Sequence, residues 1–478
     1  MFKRMLCFVF LAGLLAVLAA QATIIQVPGG QPTIQAGINA AVNGDTILVA
    51  PGTYQENIHF RKKGITVASR FILNDNPAYI DSTVIDGSNP ASPDSASCVR
   101  IVSDSSQATN DTTAALIGFT LTGGAGTRWA DEHGAGTYRE GGGILIQYLS
   151  PRVQDNKITG NHAHDASLES GGGGIRVGDG NPRILNNLIV GNTSGVYGGG
   201  IVLNYTGAII RNNVIAYDTT GTGYGGGGGI WSYSNDGSGR PRIIENNAIF
   251  GNSTGTGSGL AGGVSLGNSS ALLRNDILWA NRYSQIRGSG ATATYCDVQG
   301  GYTGNGNINR YPAFLDTVLF YLSDTSVCID AGDSSVIYND PEDTHNPGHA
   351  LWPSRGLLRN DMGAYGGPGR TSIPTGLEET SNETVPGRFT LEQNHPNPFS
   401  STTSIRFNLR EPAYVALAIY NALGEEVAVL VRGRQSAGIH PVSWDGRDPK
   451  GQAMSQGVYF YLLQVGERRA SRKMVLMR

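Results

Sequence analysis

Along the middle of the chain, apolar and polar positions alternate in short runs such as Gly174-Ile175-Arg176-Val177 and Arg183-Ile184-Leu185-Asn186-Asn187-Leu188-Ile189. A period of two predicts strands, and strands this short cannot bury a face alone. The runs repeat. A glycine cluster followed by a β-branched residue recurs at Ile144, Ile175, Ile201, Ile230 and Val264, at spacings of 31, 26, 29 and 34. A second element, N/D-x-I/L-x-x-N/D, starts at Asn156, Asn187, Asn213, Asn247 and Asp276 and ends at Asn161, Asn192, Asp218, Asn252 and Asn281. The step between elements is 12 residues in four units and 17 in the unit beginning at Ile230, where residues 232–239 read as an inserted turn.

Stacked unit upon unit, the strands place Ile144, Ile175, Ile201 and Ile230 in one interior column and Ile158, Ile189, Ile215, Ile249 and Leu278 in another. Asparagines at matching turns then align, each amide bonding its neighbour in the next coil and the backbone of the bend. Before the repeat, residues 32–41 carry apolar side chains at helical spacing, an amphipathic helix suited to cap the open end of the core. After it, residues 369–388 form a polar, acidic, turn-rich linker. Residues 404–409, 415–420 and 457–462 then read as strands of a small β-sandwich.

Composition fits tight bends rather than disorder or collagen. Glycine supplies 68 of 478 residues with no G-X-Y period, and 39% of the chain is apolar. Lys+Arg 35 against Asp+Glu 38 leaves a net charge of −3, no footprint for nucleic acid, and no nucleic-acid partner is expected. Lys3 and Arg4, an apolar run over residues 5–20 and Ala20-Gln21-Ala22 predict a signal peptide over residues 1–22. Cys98, Cys296 and Cys328 remain after its removal, too few for a disulfide framework; a bridge such as Cys296–Cys328 is permitted, but buried, unpaired thiols are the expectation.

These features resemble the right-handed parallel β-helix, or pectin-lyase-like, family over residues 23–368. Gly44-Asp45-Thr46-Ile47-Leu48-Val49-Ala50-Pro51-Gly52-Thr53-Tyr54 resembles a first coil of that family. Cys328-Ile329-Asp330-Ala331-Gly332-Asp333 and Asp361-Met362-Gly363-Ala364-Tyr365-Gly366 resemble its closing coil. The fold class implied is all-β, a solenoid followed by a small Ig-like sandwich. Over residues 389–478, Gln393-Asn394-His395-Pro396-Asn397-Pro398-Phe399, Ile419-Tyr420-Asn421-Ala422-Leu423-Gly424, Trp444-Asp445-Gly446 and Gly457-Val458-Tyr459-Phe460-Tyr461 resemble the type A sorting domain of the type IX secretion system. His395 stands where that family often has tyrosine. The resemblance implies export by that machinery to the medium or the outer cell surface.

Candidate chemistry gathers where the loops between coils are longest, residues 125–140 and 162–170. Trp129, Tyr138, Tyr197 and Tyr224 offer flat apolar faces to a saccharide, and Arg128 and Arg139 could pair with uronate or sulfate. His133, His162 or His164 could act as the base of a polysaccharide lyase, and Asp131 or Glu132 with Asp165 as the carboxylates of a glycosidase. The clustered aspartates and G-H-G segment of polygalacturonase-type members are absent, as is the dense aspartate set of pectate lyases, which leans away from catalysis. Three readings stay open: a polysaccharide-binding edge, an enzyme using the same edge, and a structural or adhesive surface. No cofactor is expected. Asp330, Asp333, Asp340 and Asp343 could hold calcium or simply form turns, and no metal-ligand spacing is diagnostic.

Overall fold

The computed structural model describes residues 22–103, 113–131, 133–221, 226–234, 237, 241–255, 260–343, 346–369, 389–392, 394–397, 399–421, 426–448, 451–454, 457–465 and 468–476. The expected leader and linker therefore lie outside the described residues, save for Ala22 and Gly369. The chain divides between Gly376 and Leu377 into two compact units.

Among the described residues, three long parallel sheets form the body of the first unit, beside a short parallel sheet of three strands and a mixed one of four. The first has ten strands, from Ile24–Val27 to Ala291–Thr294; the second has nine, from Gly52–Tyr54 to Asp297–Val298; the third has eight, from Ile58–His59 to Ser284–Arg287. Each coil gives a strand to each sheet and each strand pairs with its counterpart one coil away, which is a parallel β-helix. On the third sheet Val99, Ile144, Ile175, Ile201, Ile230 and Val264 stand in register. On the second, Leu121, Ile158, Ile189, Ile215, Ile249 and Leu278 do so. Leu116, Val153, Ile184, Ile210, Ile244 and Leu273 complete the interior from the first. All are buried, each side chain contributing roughly 1.5–3 kcal/mol.

Two asparagine ladders run beside these columns. In the first, Nδ2 of Asn156 donates to Asn187 Oδ1, Asn187 to Asn213, Asn213 to Asn247 and Asn247 to Asp276, at 2.9–3.1 Å. In the second, Asn161 donates to Asn192, Asn192 to Asp218, and Asn252 to Asn281. Each of these amides also donates to a carbonyl of the preceding coil, as Asn192 Nδ2 does to Ile158 O at 2.9 Å. The residue before each member of the first ladder, Asp155, Asn186, Asn212, Asn246 and Asn275, takes a left-handed backbone with φ between 53° and 57°. Asn and Asp adopt that bend at lower cost than other side chains, which accounts for the Asn-Asn pairs. The glycine clusters have another cause: a Cβ at Gly173 would strike the Thr193 carbonyl of the next coil.

The helix Ile34–Ala40 closes one end, burying Ile34 and Ile38 against the core. Thr33 Oγ1 caps it by accepting from Ala36 N at 3.0 Å, and the Glu56 carboxylate accepts from Ile34 N and Gln35 N. Lys63 Nζ donates to the carbonyls of Ile38, Asn39 and Ala41 at the other terminus, so both sets of orphan backbone groups are met by opposite charge. Near the far end the chain returns along the solenoid: Asn212 Nδ2 donates to Ala364 O and Gly366 O, and Asn246 Nδ2 to Asp361 O. Leu319, Phe320 and Tyr365 cover Leu188, Val214, Ala216 and Ala248 there.

The second unit is antiparallel. Among its described residues, one sheet joins Phe389–Leu391, Thr403–Leu409 and Gly438–Trp444, and another joins Ala413–Asn421, Glu426–Gln435, Gly457–Val465 and Arg468–Leu476. Ile405, Phe407, Leu417, Ile419, Trp444, Tyr461 and Leu463 form its core, so the strands expected from alternation are present and the unit is a β-sandwich.

Candidate functional site

Residues 125–140, expected as a polar loop, form an antiparallel hairpin of Gly126–Ala130 with Thr137–Glu140. Thr127, Trp129, Thr137 and Tyr138 are residue types that favour strands, and Gly134 (φ 81°) and Gly136 (φ 123°) supply the reversal. The second strand also pairs with Ser170–Gly171 of the next coil. Register then sorts the side chains. Trp129 and Tyr138 lie opposite one another on the same face as Thr127 and Glu140, whereas Arg128 and Arg139 share the other face.

A polar chain clamps this hairpin to the outside of the third sheet. Arg176 Nε lies 2.7 Å from Glu140 Oε2, both side chains buried, and Arg176 Nη1 donates to Gln147 Oε1. Gln147 Nε2 donates to Asp179 Oδ2 at 2.9 Å, and Asp179 Oδ1 lies 2.8 Å from His133 Nε2. The His133 ring stacks on Tyr205 with centroids 3.6 Å apart. Asp131 Oδ1 accepts from His133 N at 2.8 Å and Ala135 N at 3.3 Å, which shapes the tip.

With the hairpin as a wall, the outer face of the third sheet becomes a cleft of about 620 Å³. Asp131 and Tyr138 line it on the hairpin side, and Arg287 lines it at the last strand of the sheet. Between them lie Tyr197, Asn204, Trp231 and Tyr233. Trp231 and Tyr233 occupy successive outward positions of Ile230–Tyr233, their rings within 5° of parallel and 5.7 Å apart. Tyr197 packs 4.3 Å from Trp231 and is held by its hydroxyl, which donates to Glu169 Oε2 at 2.9 Å. Burial and the Glu169 charge push the Tyr197 hydroxyl well above the usual phenol range, so it stays a donor. Burial likewise raises Tyr138, with Glu169, Asp131 and Glu140 adding to it.

The structure thus gathers Asp131, His133, Tyr138 and Tyr197 at or beside the cleft. It places the other candidates elsewhere. Arg139, on the opposite hairpin face, donates from Nε to Asp165 Oδ2 at 2.9 Å and from Nη1 to Pro93 O and Gly126 O. Asp165 is held well below the usual carboxylate range by the Ser167 backbone N–H and by Arg139. His162 and His164 are exposed near that pair; desolvation of its ring, with the charges of His164 and Arg139, holds His162 below its ordinary value. Arg128 is exposed and Trp129 half-buried. Glu132 and Tyr224 lie outside the described residues.

Both cleft carboxylates help to shape the hairpin wall, Asp131 through backbone N–H groups on Oδ1 and Glu140 through Arg176. Trp231, Tyr233, Tyr205 and Arg287 were not singled out from sequence. Their signal was available, since Trp231 follows the column residue Ile230 and must point outward.

The four aspartates considered for calcium serve the closing turns. Asp330 accepts from Leu357 N, Asp333 from Ser335 N, and Asp340 from Asp361 N and Gly367 N, while Asp343 donates its N–H to His349 O. Burial raises Asp340 and Asp361, the Asp361 charge adding to the shift at Asp340. Among the described residues no three His, Cys, Asp or Glu side chains converge to hold a metal. Cys98, Cys296 and Cys328 are free and buried, and burial pushes the Cys98 thiol up to about 12.

Residues 396–467 match the family model of the FlgD Ig-like domain. Solved structures similar to the chain include a pectin methylesterase in complex with a hexasaccharide, 12% identical, with a TM-score of 0.33 over 61% of this chain and 93% of that one. A mutant pectin methylesterase bound to another hexasaccharide is 11% identical, with a TM-score of 0.31 over the same shares. No curated protein matches the chain.

Proposed function

We propose that this is an exported protein that binds an extracellular polysaccharide in the cleft over its third sheet. The observation that carries the reading is the open aromatic row of Tyr197, Trp231 and Tyr233 on the floor of a cleft of about 620 Å³. Aromatic rings on a rigid sheet meet the apolar faces of sugar rings at little entropic cost, and a few polar groups around them fix orientation. The cleft extends from the hairpin to the last strand of the sheet, a span suited to a chain rather than a small molecule.

The β-sandwich is the export address. The segments Gln393-Asn394-His395-Pro396-Asn397-Pro398-Phe399 and Gly457-Val458-Tyr459-Phe460-Tyr461, on a domain that matches an Ig-like model, support a sorting role with the type IX machinery as partner and the medium or the outer cell surface as destination. The test of binding is retention of the full-length protein on immobilised polysaccharides together with the Trp231→Ala variant. Retention of the wild type and loss in the variant supports the cleft. Retention equal in both moves the site elsewhere.

A further inference from the structure

Resting on the reading of the cleft as a glycan site, we infer that it takes an uncharged, equatorially substituted pyranose chain rather than an acidic one. The argument is one of charge and surface. The two arginines that the sequence offers for uronate or sulfate both lie on the hairpin face away from Tyr138, and Arg139 is consumed by Asp165, Pro93 O and Gly126 O. Arg176, which does point outward from the sheet, is buried against Glu140. Among the described residues Arg287 is left as the exposed cation of the cleft lining, where Asp131 contributes a carboxylate and Glu140 is already neutralised by Arg176.

A polyanion would place one acid per sugar along the coil stack and, among the described residues of the lining, meet an exposed cation at the Arg287 end. Its other charges would be desolvated over aromatic rings whose faces are themselves negative. An uncharged chain meets no such cost. Pyranoses with equatorial hydroxyls present C–H bonds on both ring faces, which the electron-rich faces of Trp231 and Tyr233 attract, while the hydroxyls project sideways toward groups such as Asn204 and Ser265. Axial hydroxyls would instead press oxygen onto the rings. The cleft crosses the strands that carry Asn204, Tyr233, Gly267 and Arg287, roughly 14 Å at the usual strand spacing, so several sugar units contribute.

The test is calorimetric titration of the full-length protein with xylo- and cello-oligosaccharides, oligogalacturonate and a sulfated oligosaccharide. Wild type, Trp231→Ala, Tyr233→Ala and Arg287→Ala are compared, with circular dichroism as the folding control. The expected result is binding of a neutral chain, weakened about tenfold or more by Trp231→Ala, and changed less than about twofold by Arg287→Ala or by raising NaCl from roughly 0.05 to 0.5 M. Preferential binding of an acidic chain, lost in Arg287→Ala or in salt yet still dependent on Trp231, overturns the inference and leaves the cleft as the site. Binding of no glycan, or binding indifferent to both Trp231 and Tyr233, overturns the reading beneath it.

Discussion

The second ladder contains an acid where its neighbours have amides, and this makes Asp218→Asn the sharpest test of the architecture. Asp218 Oδ1 accepts from Asn192 N at 2.7 Å and Asn192 Nδ2 at 3.0 Å, and its own N–H donates to Asn252 Oδ1 at 2.9 Å. Its other oxygen, Oδ2, is buried without a partner and lies over Gly200 as the amide nitrogens of Asn161, Asn192 and Asn252 lie over Gly143, Gly174 and Gly229. Burial raises the Asp218 carboxyl far above the usual range, so the folded protein keeps a proton there. The unfolded chain releases that proton above about pH 3.9. Stability from this group is therefore full below that value, and it falls by about 1.4 kcal/mol per pH unit as the pH rises toward the folded value. Asparagine needs no proton. From about pH 5 upward the advantage of Asp218→Asn over wild type should therefore grow with pH, by at most about 1.4 kcal/mol per unit, until the folded carboxyl itself ionises. Asp276, raised by burial in the same way, is common to both proteins and cancels in the comparison. Urea unfolding of both proteins across that pH range, with equal m-values as the control, measures the difference. A difference that stays flat with pH, or a variant less stable at neutral pH, would refute the protonated-acid account.

Glu140→Gln leaves Arg176 buried without its counter-charge and should cost about 3–5 kcal/mol in urea unfolding, whereas an apolar pair at both positions should recover most of that loss. Asn187→Ala strands the buried Asn156 backbone N–H and takes the side-chain donor from the Val153 carbonyl, at about 1–3 kcal/mol each, read in the same assay. The thiols of Cys98, Cys296 and Cys328 should resist a thiol reagent in the native protein at neutral pH and react together on unfolding; a fast native phase would contradict their burial. Removing residues 389–478 should leave the solenoid inside the producing cell, as immunoblots of medium and cell fractions would show; undiminished release would remove the sorting role.

What the chain reveals in advance follows the range over which each signal acts. The columns through Ile144 and Ile158 and the ladder asparagines are repeated, so each copy corroborates the others, and the structure finds them in register. The capping helix is legible from local spacing. The hairpin is not, because it occurs once, and its place depends on Arg176 meeting Glu140 across 36 residues. Arg139 looks like a ligand group in the sequence because sequence lists what a side chain can do, and not what already holds it. Asp165 lies about one coil later, and only the stacking of coils brings that carboxylate to Arg139. Trp231 and Tyr233 are hidden for the opposite reason: the sequence reads as an inserted turn from residue 232, whereas the strand runs on through Tyr233 and turns both rings outward onto the aromatic floor.

Stability and recognition are carried by different positions of the same strands. On Ile230–Tyr233 the inward Ile230 fills the column and the outward Trp231 and Tyr233 line the cleft, while the ladder asparagines bind coil to coil apart from the cleft lining. Because each coil contacts only its neighbours, outward residues can change without disturbing the column behind them. The one place where the two roles meet is the hairpin clamp, since Arg176 and Glu140 are outward groups that have been buried to hold a wall. It follows that Trp231→Ala should lose ligand with the unfolding midpoint nearly unmoved, Asn187→Ala should lower the midpoint with ligand affinity retained in the folded fraction, and Glu140→Gln alone should do both.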